Sequence, residues 1–219
     1  MNSKIMLKLS TLRLLLLLLI VSIASCQKYK EVDKVKLLVN DKKYDEAIKE
    51  ANKESNKEVK FNYLGIIYSR KGDLKKSEEY YNKVLKISPK NFKALYNLGL
   101  LKARTKKFKD SLTIFNNLGK EHPKNIDVKL KKAYVHYALE SNSNSISILK
   151  NLVETEKKAL TLSQWKEIGV TYEKLKRFNA AAEAYEYYIS KAKKDNVKVD
   201  LNAIKKKINL LRSRRNEEL

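Results

Sequence analysis

Apolar side chains recur every three or four positions along most of this chain, with charged residues between them. Near the C-terminal end, Leu201, Ile204, Ile208 and Leu211 stand at such intervals among lysines. That period places them on one side of a helix. The same rhythm predicts helices at 29–39, 43–55, 58–71, 74–87, 92–105, 108–121, 126–140, 143–156, 162–175, 178–193 and 198–214. No stretch alternates as a strand would. Gly72-Asp73 reads as a turn between two helices. The expected class is all-α.

The helices are not independent. Phe61-Asn62-Tyr63-Leu64-Gly65 is matched by Leu95-Tyr96-Asn97-Leu98-Gly99, 34 residues later. The same interval separates Ser77 from Ser111, Tyr81 from Phe115, Val84 from Leu118 and Pro89 from Pro123. Trp165-Lys166-Glu167-Ile168-Gly169 repeats the cluster, followed by Tyr172, Ala181, Tyr185 and Tyr188. A fixed period of this length marks stacked helix pairs, each of which buries its apolar face on the next.

The pattern resembles the tetratricopeptide repeat, whose unit is two antiparallel helices. The resemblance implies an α-solenoid of about five repeats with a C-terminal capping helix. The repeats would run 58–91, 92–125, 126–161 and 162–195, after a divergent first one within 26–57. Residues 196–219 would hold the cap and a basic tail. It also implies that Gly65, Gly99 and Gly169 sit where a neighbour approaches closely, with Ser77, Ser111 and Ala181 as the small residues of the second helices. Some positions depart from the pattern. Lys102 stands where an aromatic is expected. Lys132 replaces a leucine in the fourth repeat, which lies 36 residues from the fifth.

The N-terminus carries a different signal. Lys4, Lys8 and Arg13 precede an apolar run from Leu14, and small residues follow. From Leu14 to Ala24 is 11 residues, against about 20 for a helix that spans a bilayer. Such a segment is an export signal rather than a comfortable span. Ile23-Ala24-Ser25-Cys26 resembles the lipobox of bacterial lipoproteins, and Cys26 is the single cysteine of the chain. The resemblance implies cleavage after residue 25 and a diacylglyceryl thioether on Cys26. The protein would then be exported and lipid-anchored, on the periplasmic face of either membrane or at the cell surface. An ordinary secretory signal and an uncleaved anchor are the competing assignments.

Charge changes the picture little. Three of the 48 basic residues and none of the 25 acidic ones lie in 1–25, so the remainder carries 45 against 25, an excess of 20. That excess suits an anionic membrane surface or an acidic partner. It also suits the lysine-rich drift of an AT-rich genome. No basic stripe is clustered as nucleic-acid binding needs, so no nucleic acid is expected.

In the resembling family, the first helix of each pair lines a concave wall. Register then assigns Asn62, Ile66 and Arg70 to that wall, followed by Tyr96, Leu100 and Arg104. Tyr134 and Tyr137 continue it, as do Lys166, Val170 and Lys174. Aromatic, aliphatic and arginine side chains suit an interface. The expected ligand is a segment of another protein. Ile66, Leu100, Tyr134 and Val170 could instead touch the adjacent helix or the end helix. A carboxylate clamp for a chain terminus is not expected, since Ile66 and Leu100 stand where asparagine would be needed.

No catalytic pattern emerges. His122 and His136 lie on different elements without partners at metal-ligand spacing. His122 reads as a capping or solvated residue and His136 as surface or groove. Glu78-Glu79 and Glu217-Glu218 are adjacent in sequence and point apart, so paired acid–base work is not expected. The expectation is a non-enzymatic scaffold without cofactor or metal, acting in envelope assembly or organisation. An exposed adhesin or host-factor binder that uses its basic face is the alternative.

Overall fold

The computed structural model describes residues 34–214, and every regular element among them is helical. We number the helices α1 (34–40), α2 (Tyr44–Asn52), α3 (Lys57–Lys71), α4 (Leu74–Ile87), α5 (Phe92–Arg104) and α6 (Phe108–Glu121). Then follow α7 (Ile126–Ala138), α8 (Asn142–Glu156), α9 (Leu162–Lys174), α10 (Phe178–Lys194) and α11 (Leu201–Ser213). From α2 onward these fall within about three residues of the expected ranges, and residues 29–33 of the first expected helix lie outside the described residues. The last helix starts later than expected because Asp200 caps it, its carboxylate accepting from the Ala203 amide. The segment 23–26, expected to act as a lipobox, lies outside the described residues, Cys26 included.

The described residues divide into two compact units, one up to Ala94 and one from Leu95. The first is built on Val35, Val39, Ala47, Ala51, Leu64 and Ile67. In the second, Leu130, Leu149, Leu152, Trp165, Ile168 and Tyr185 belong to a larger core that ends on Ile208 and Leu211 of α11.

Each helix pair is closed at one crossing. A methyl group placed on Gly65 would meet the Tyr81 ring, one on Gly99 the Phe115 ring, and one on Gly169 the Tyr185 ring. In every case the ring lies 16 residues on, in the second helix of the pair. The fourth pair places Ala133 and Leu149 at these positions, and the first places Val35 and Ala51, all buried. Size is therefore traded across the crossing. Glycine goes with an aromatic ring, alanine with leucine and valine with alanine, which holds the packed volume near constant. The expectation of a tight approach at the glycines holds, and the approaching group is a side chain.

The small residues of the second helices add a polar contact. The Ser77 hydroxyl donates to the Gly65 carbonyl at 2.8 Å, Ser111 to Gly99 at 2.8 Å and Ser145 to Ala133 at 2.8 Å. All three serines are fully buried. A buried hydroxyl must find a partner, and here it pins the second helix to the backbone of the first.

Turns and caps repeat as well. Lys42, Gly72, Lys106, Glu140 and Lys176 all have positive φ, between 56° and 97°, and each links the two helices of one pair. Only Gly72 is a glycine, so four side chains accept a left-handed backbone that costs about 1 kcal/mol each. At the start of the first helices, Asn56, Asn91, Asn125 and Thr161 accept a backbone N–H and so satisfy donors that the helix leaves open. Before two of them, the Asn91 amide donates to the Ser88 carbonyl and the Asn125 amide to that of His122. Pro89 and Pro123 occupy the second place of these four-residue turns, where their fixed φ fits.

The end helix covers the second unit as expected. Besides Ile208 and Leu211, Lys207 pairs with Glu173 at 2.8 Å and Arg212 with Glu186 at 2.5 Å. The Arg214 guanidinium lies 4.4 Å from the Phe178 ring centre.

Candidate protein-binding groove

The first helices of the second unit bury one side and turn the other outward. On α9, Trp165, Ile168, Gly169 and Tyr172 are buried. Lys166, Val170 and Lys174, four residues apart in turn, stand together on another side of the helix. On α7, Leu130 and Ala133 are buried and Tyr134 is not. On α5, Leu98 and Leu101 are buried, while Leu100 and Arg104 are not.

These outward sides enclose a concavity of about 530 Å³. Leu100, Ala103, Phe115, Val135 and Val170 give it an apolar lining. Arg104, Lys131, Lys166 and Lys174 bring four cations, against the single carboxylate of Glu167. Lys131 donates to both Glu167 oxygens at 2.6 Å, so that carboxylate is already answered. Lys174 is held over two rings, with its Nζ 5.0 Å from the Tyr134 centre and 5.8 Å from that of Tyr137. Such contacts contribute about 0.5–1 kcal/mol at exposed sites and fix where the ammonium sits. Arg104, Lys166 and Lys174 are exposed.

Of the residues expected on the inner wall, Leu100, Arg104, Tyr134, Lys166, Val170 and Lys174 line this concavity together. Tyr96 and Tyr137 do not. Tyr96 packs edge-on against Phe115, with ring centres 5.7 Å apart. Burial raises its phenol pKa, and the carboxylates of Asp127 and Glu167 add to this. Tyr137 is partly buried against the core, 6.5 Å from the Tyr134 ring. Asn62, Ile66 and Arg70 lie on α3 in the first unit, the first two half-buried and Arg70 exposed.

Sequence reasoning did not single out Lys131, Glu167 or Phe115 for the groove. The first two were legible, because they occupy the same register position on successive first helices, 36 residues apart, with opposite charge. Phe115, the repeat match of Tyr81, lines the groove while its ring also packs against Gly99.

His122 is the exposed residue that closes α6, at its C-cap. His136 is half-buried on α7, and burial, then Lys132, holds its imidazole pKa below the usual value. Among the described residues, no group of three or more His, Cys, Asp or Glu side chains could hold a metal ion. Among the same residues, no helix is long and apolar enough to cross a membrane.

The tetratricopeptide-repeat family model matches residues 60–91 and, in a second form, 93–125. No curated protein matches the sequence. Solved structures match in fold. A tetratricopeptide repeat protein from Parabacteroides merdae is 15% identical, with a TM-score of 0.65 over 83% of this chain and 69% of that one. A thermophilic tetratricopeptide-repeat protein of Thermus thermophilus is 12% identical, with a TM-score of 0.67 over 84% of this chain and 97% of that one. MamA from Desulfovibrio magneticus is 18% identical, with a TM-score of 0.54 over 74% and 97%. The chain thus carries tetratricopeptide repeats. Repeats of this kind generally mediate contacts between proteins and generally belong to scaffolds rather than enzymes.

Proposed function

We propose that this protein is an exported lipoprotein, anchored through Cys26, whose repeats hold a segment of another envelope protein in the groove over α5, α7 and α9. The observation that carries the binding half is the groove itself. Core side chains such as Phe115 and Val135 form its apolar floor together with Leu100 and Val170, and three exposed cations stand around it. The helices fix the backbone from which those side chains extend, and Lys174 is also held over two rings, which lowers the ordering cost of binding. The anchoring half rests on the sequence. A short apolar run leads into Ile23-Ala24-Ser25-Cys26. Each methylene buried in lipid contributes about 0.8 kcal/mol, so two or three acyl chains would hold the protein durably at a membrane.

A photo-crosslinking residue introduced at Val170, and separately at exposed Lys150 on α8 as a control, tests the groove in living cells. A discrete partner captured from position 170 and not from 150 supports the proposal, and identical captures from both positions overturn it. Cys26→Ser tests the anchor. It should move the protein from the membrane to the soluble fraction and abolish labelling by radioactive palmitate. Unchanged membrane association with no label on the wild type would reject lipidation.

A further inference from the structure

We infer that the groove selects an extended acidic segment carrying a large apolar side chain midway between two carboxylates spaced four residues apart. This rests on the groove reading above and specifies the partner's chemistry. Lys166, Val170 and Lys174 form one stripe along α9. At a rise of about 1.5 Å per residue, the two lysines start about 12 Å apart, with Val170 halfway. An extended peptide advances about 3.3 Å per residue, so its positions i and i+4 lie about 13 Å apart. Positions i, i+2 and i+4 of such a peptide face the same way. An acid, an apolar residue and an acid at those places therefore match the ammonium, isopropyl and ammonium groups of the stripe.

The surroundings favour the same ligand. Leu100 on α5 and Tyr134 on α7 widen the apolar seat beside Val170, and Arg104 adds a third exposed cation. Lys174 is steadied over Tyr134 and Tyr137. Glu167 is the one lining carboxylate, and Lys131 holds it at 2.6 Å, so it does little to repel an acidic guest. A basic segment would meet several like charges, which penalise a wrong partner strongly. The apolar lining favours a peptide over a phosphate chain, which has no side chain to place there.

The test uses the full-length protein in detergent and fluorescence anisotropy. The probes are Gly-Ser-Glu-Ser-Leu-Ser-Glu-Ser-Gly, the same peptide with both Glu replaced by Gln or by Lys, and a ten-residue oligothymidylate. The Glu peptide should bind severalfold, up to about thirtyfold, more tightly than the Gln peptide, as two partly exposed ion pairs would give. Its binding should weaken from 50 to 500 mM salt (roughly 14 to 4 Å of Debye length). Lys166→Glu with Lys174→Glu should transfer the preference to the Lys peptide, a gain that misfolding could not produce.

Three outcomes overturn the inference. In one, the three peptides agree within about twofold. In another, the Glu preference persists in the charge-swapped protein. In the third, oligothymidylate binds as tightly as the Glu peptide, so that charge alone is read. If no peptide binds while position 170 still crosslinks a partner in cells, this inference falls and the groove reading stands. Loss of both results removes both.

Discussion

A methyl group on Gly65 would stand 2.5 Å from Cε1 of Tyr81, closer than carbon atoms pack. The ring is 2% exposed and surrounded by core, so it has little room to yield. Alanine at Gly65 should gain up to about 1 kcal/mol of helix propensity and lose about 1–3 kcal/mol to overpacking. The net expectation is a loss of about 1–2 kcal/mol, read as a lower urea midpoint. The same change at Gly169, where the ring lies at 3.1 Å, should be close to neutral. Gly65→Ala combined with Tyr81→Leu rebuilds the Ala133–Leu149 pair of the fourth repeat. The two losses should then fall short of additivity by about 1 kcal/mol or more. Strict additivity would show that the two positions do not share one packed volume.

The buried serines give a second expectation. Ser111→Ala removes the hydroxyl that donates to the Gly99 carbonyl at 2.8 Å. The fifth repeat already has Ala181 at this position, fully buried, so the fold tolerates the change. A loss of about 1 kcal/mol is expected. Thermal denaturation of Ser77→Ala, Ser111→Ala and Ser145→Ala should show similar decreases, because the three bonds have equal length. A large loss at one serine alone would contradict their equivalence.

The turns supply a third. Lys106, Glu140 and Lys176 hold φ of 59°, 58° and 56°. Glycine at each should stabilise by up to about 1 kcal/mol, reduced by the added freedom of the unfolded chain. Gly72→Ala should cost about 1 kcal/mol through backbone strain alone, since nothing lies within 4 Å of the added carbon. A neutral Gly72→Ala, judged by equilibrium unfolding, would refute the strain account.

High pH should unfold the protein. Burial pushes the phenols of Tyr81 and Tyr172 up to about 12, from an ordinary value near 10. A pKa raised in the folded state adds stability that is complete below the unfolded value. It is lost as pH rises from about 10 through about 12. Each unit of difference is worth about 1.4 kcal/mol per group. Absorbance of tyrosinate and helical circular dichroism, followed together across that window, should change in step for the buried rings. Ionisation of every tyrosine near pH 10 with helicity intact would remove this source of stability.

Much of the fold was written in local order. The period of 34 placed Gly65 and Gly99, Ser77 and Ser111, and Pro89 and Pro123 in register, and each pair has equivalent local surroundings. A repeat states its packing several times over, and chance rarely imitates that. The groove was only partly legible. Register brought Leu100, Tyr134 and Val170 to its lining. It did not separate Tyr96, whose ring is spent on Phe115, from residues that face the opening.

The sequence by itself determined the helices, the Gly72 turn and the recurrence of small and bulky residues at fixed intervals, because each is carried by neighbours along the chain. Tertiary structure alone decided what the outward residues do. Lys174 settles over Tyr134 and Tyr137, and the Tyr96 ring turns onto Phe115, across separate helices. Charge and ring contacts of that kind depend on distances between elements, which periodicity along a single helix does not specify.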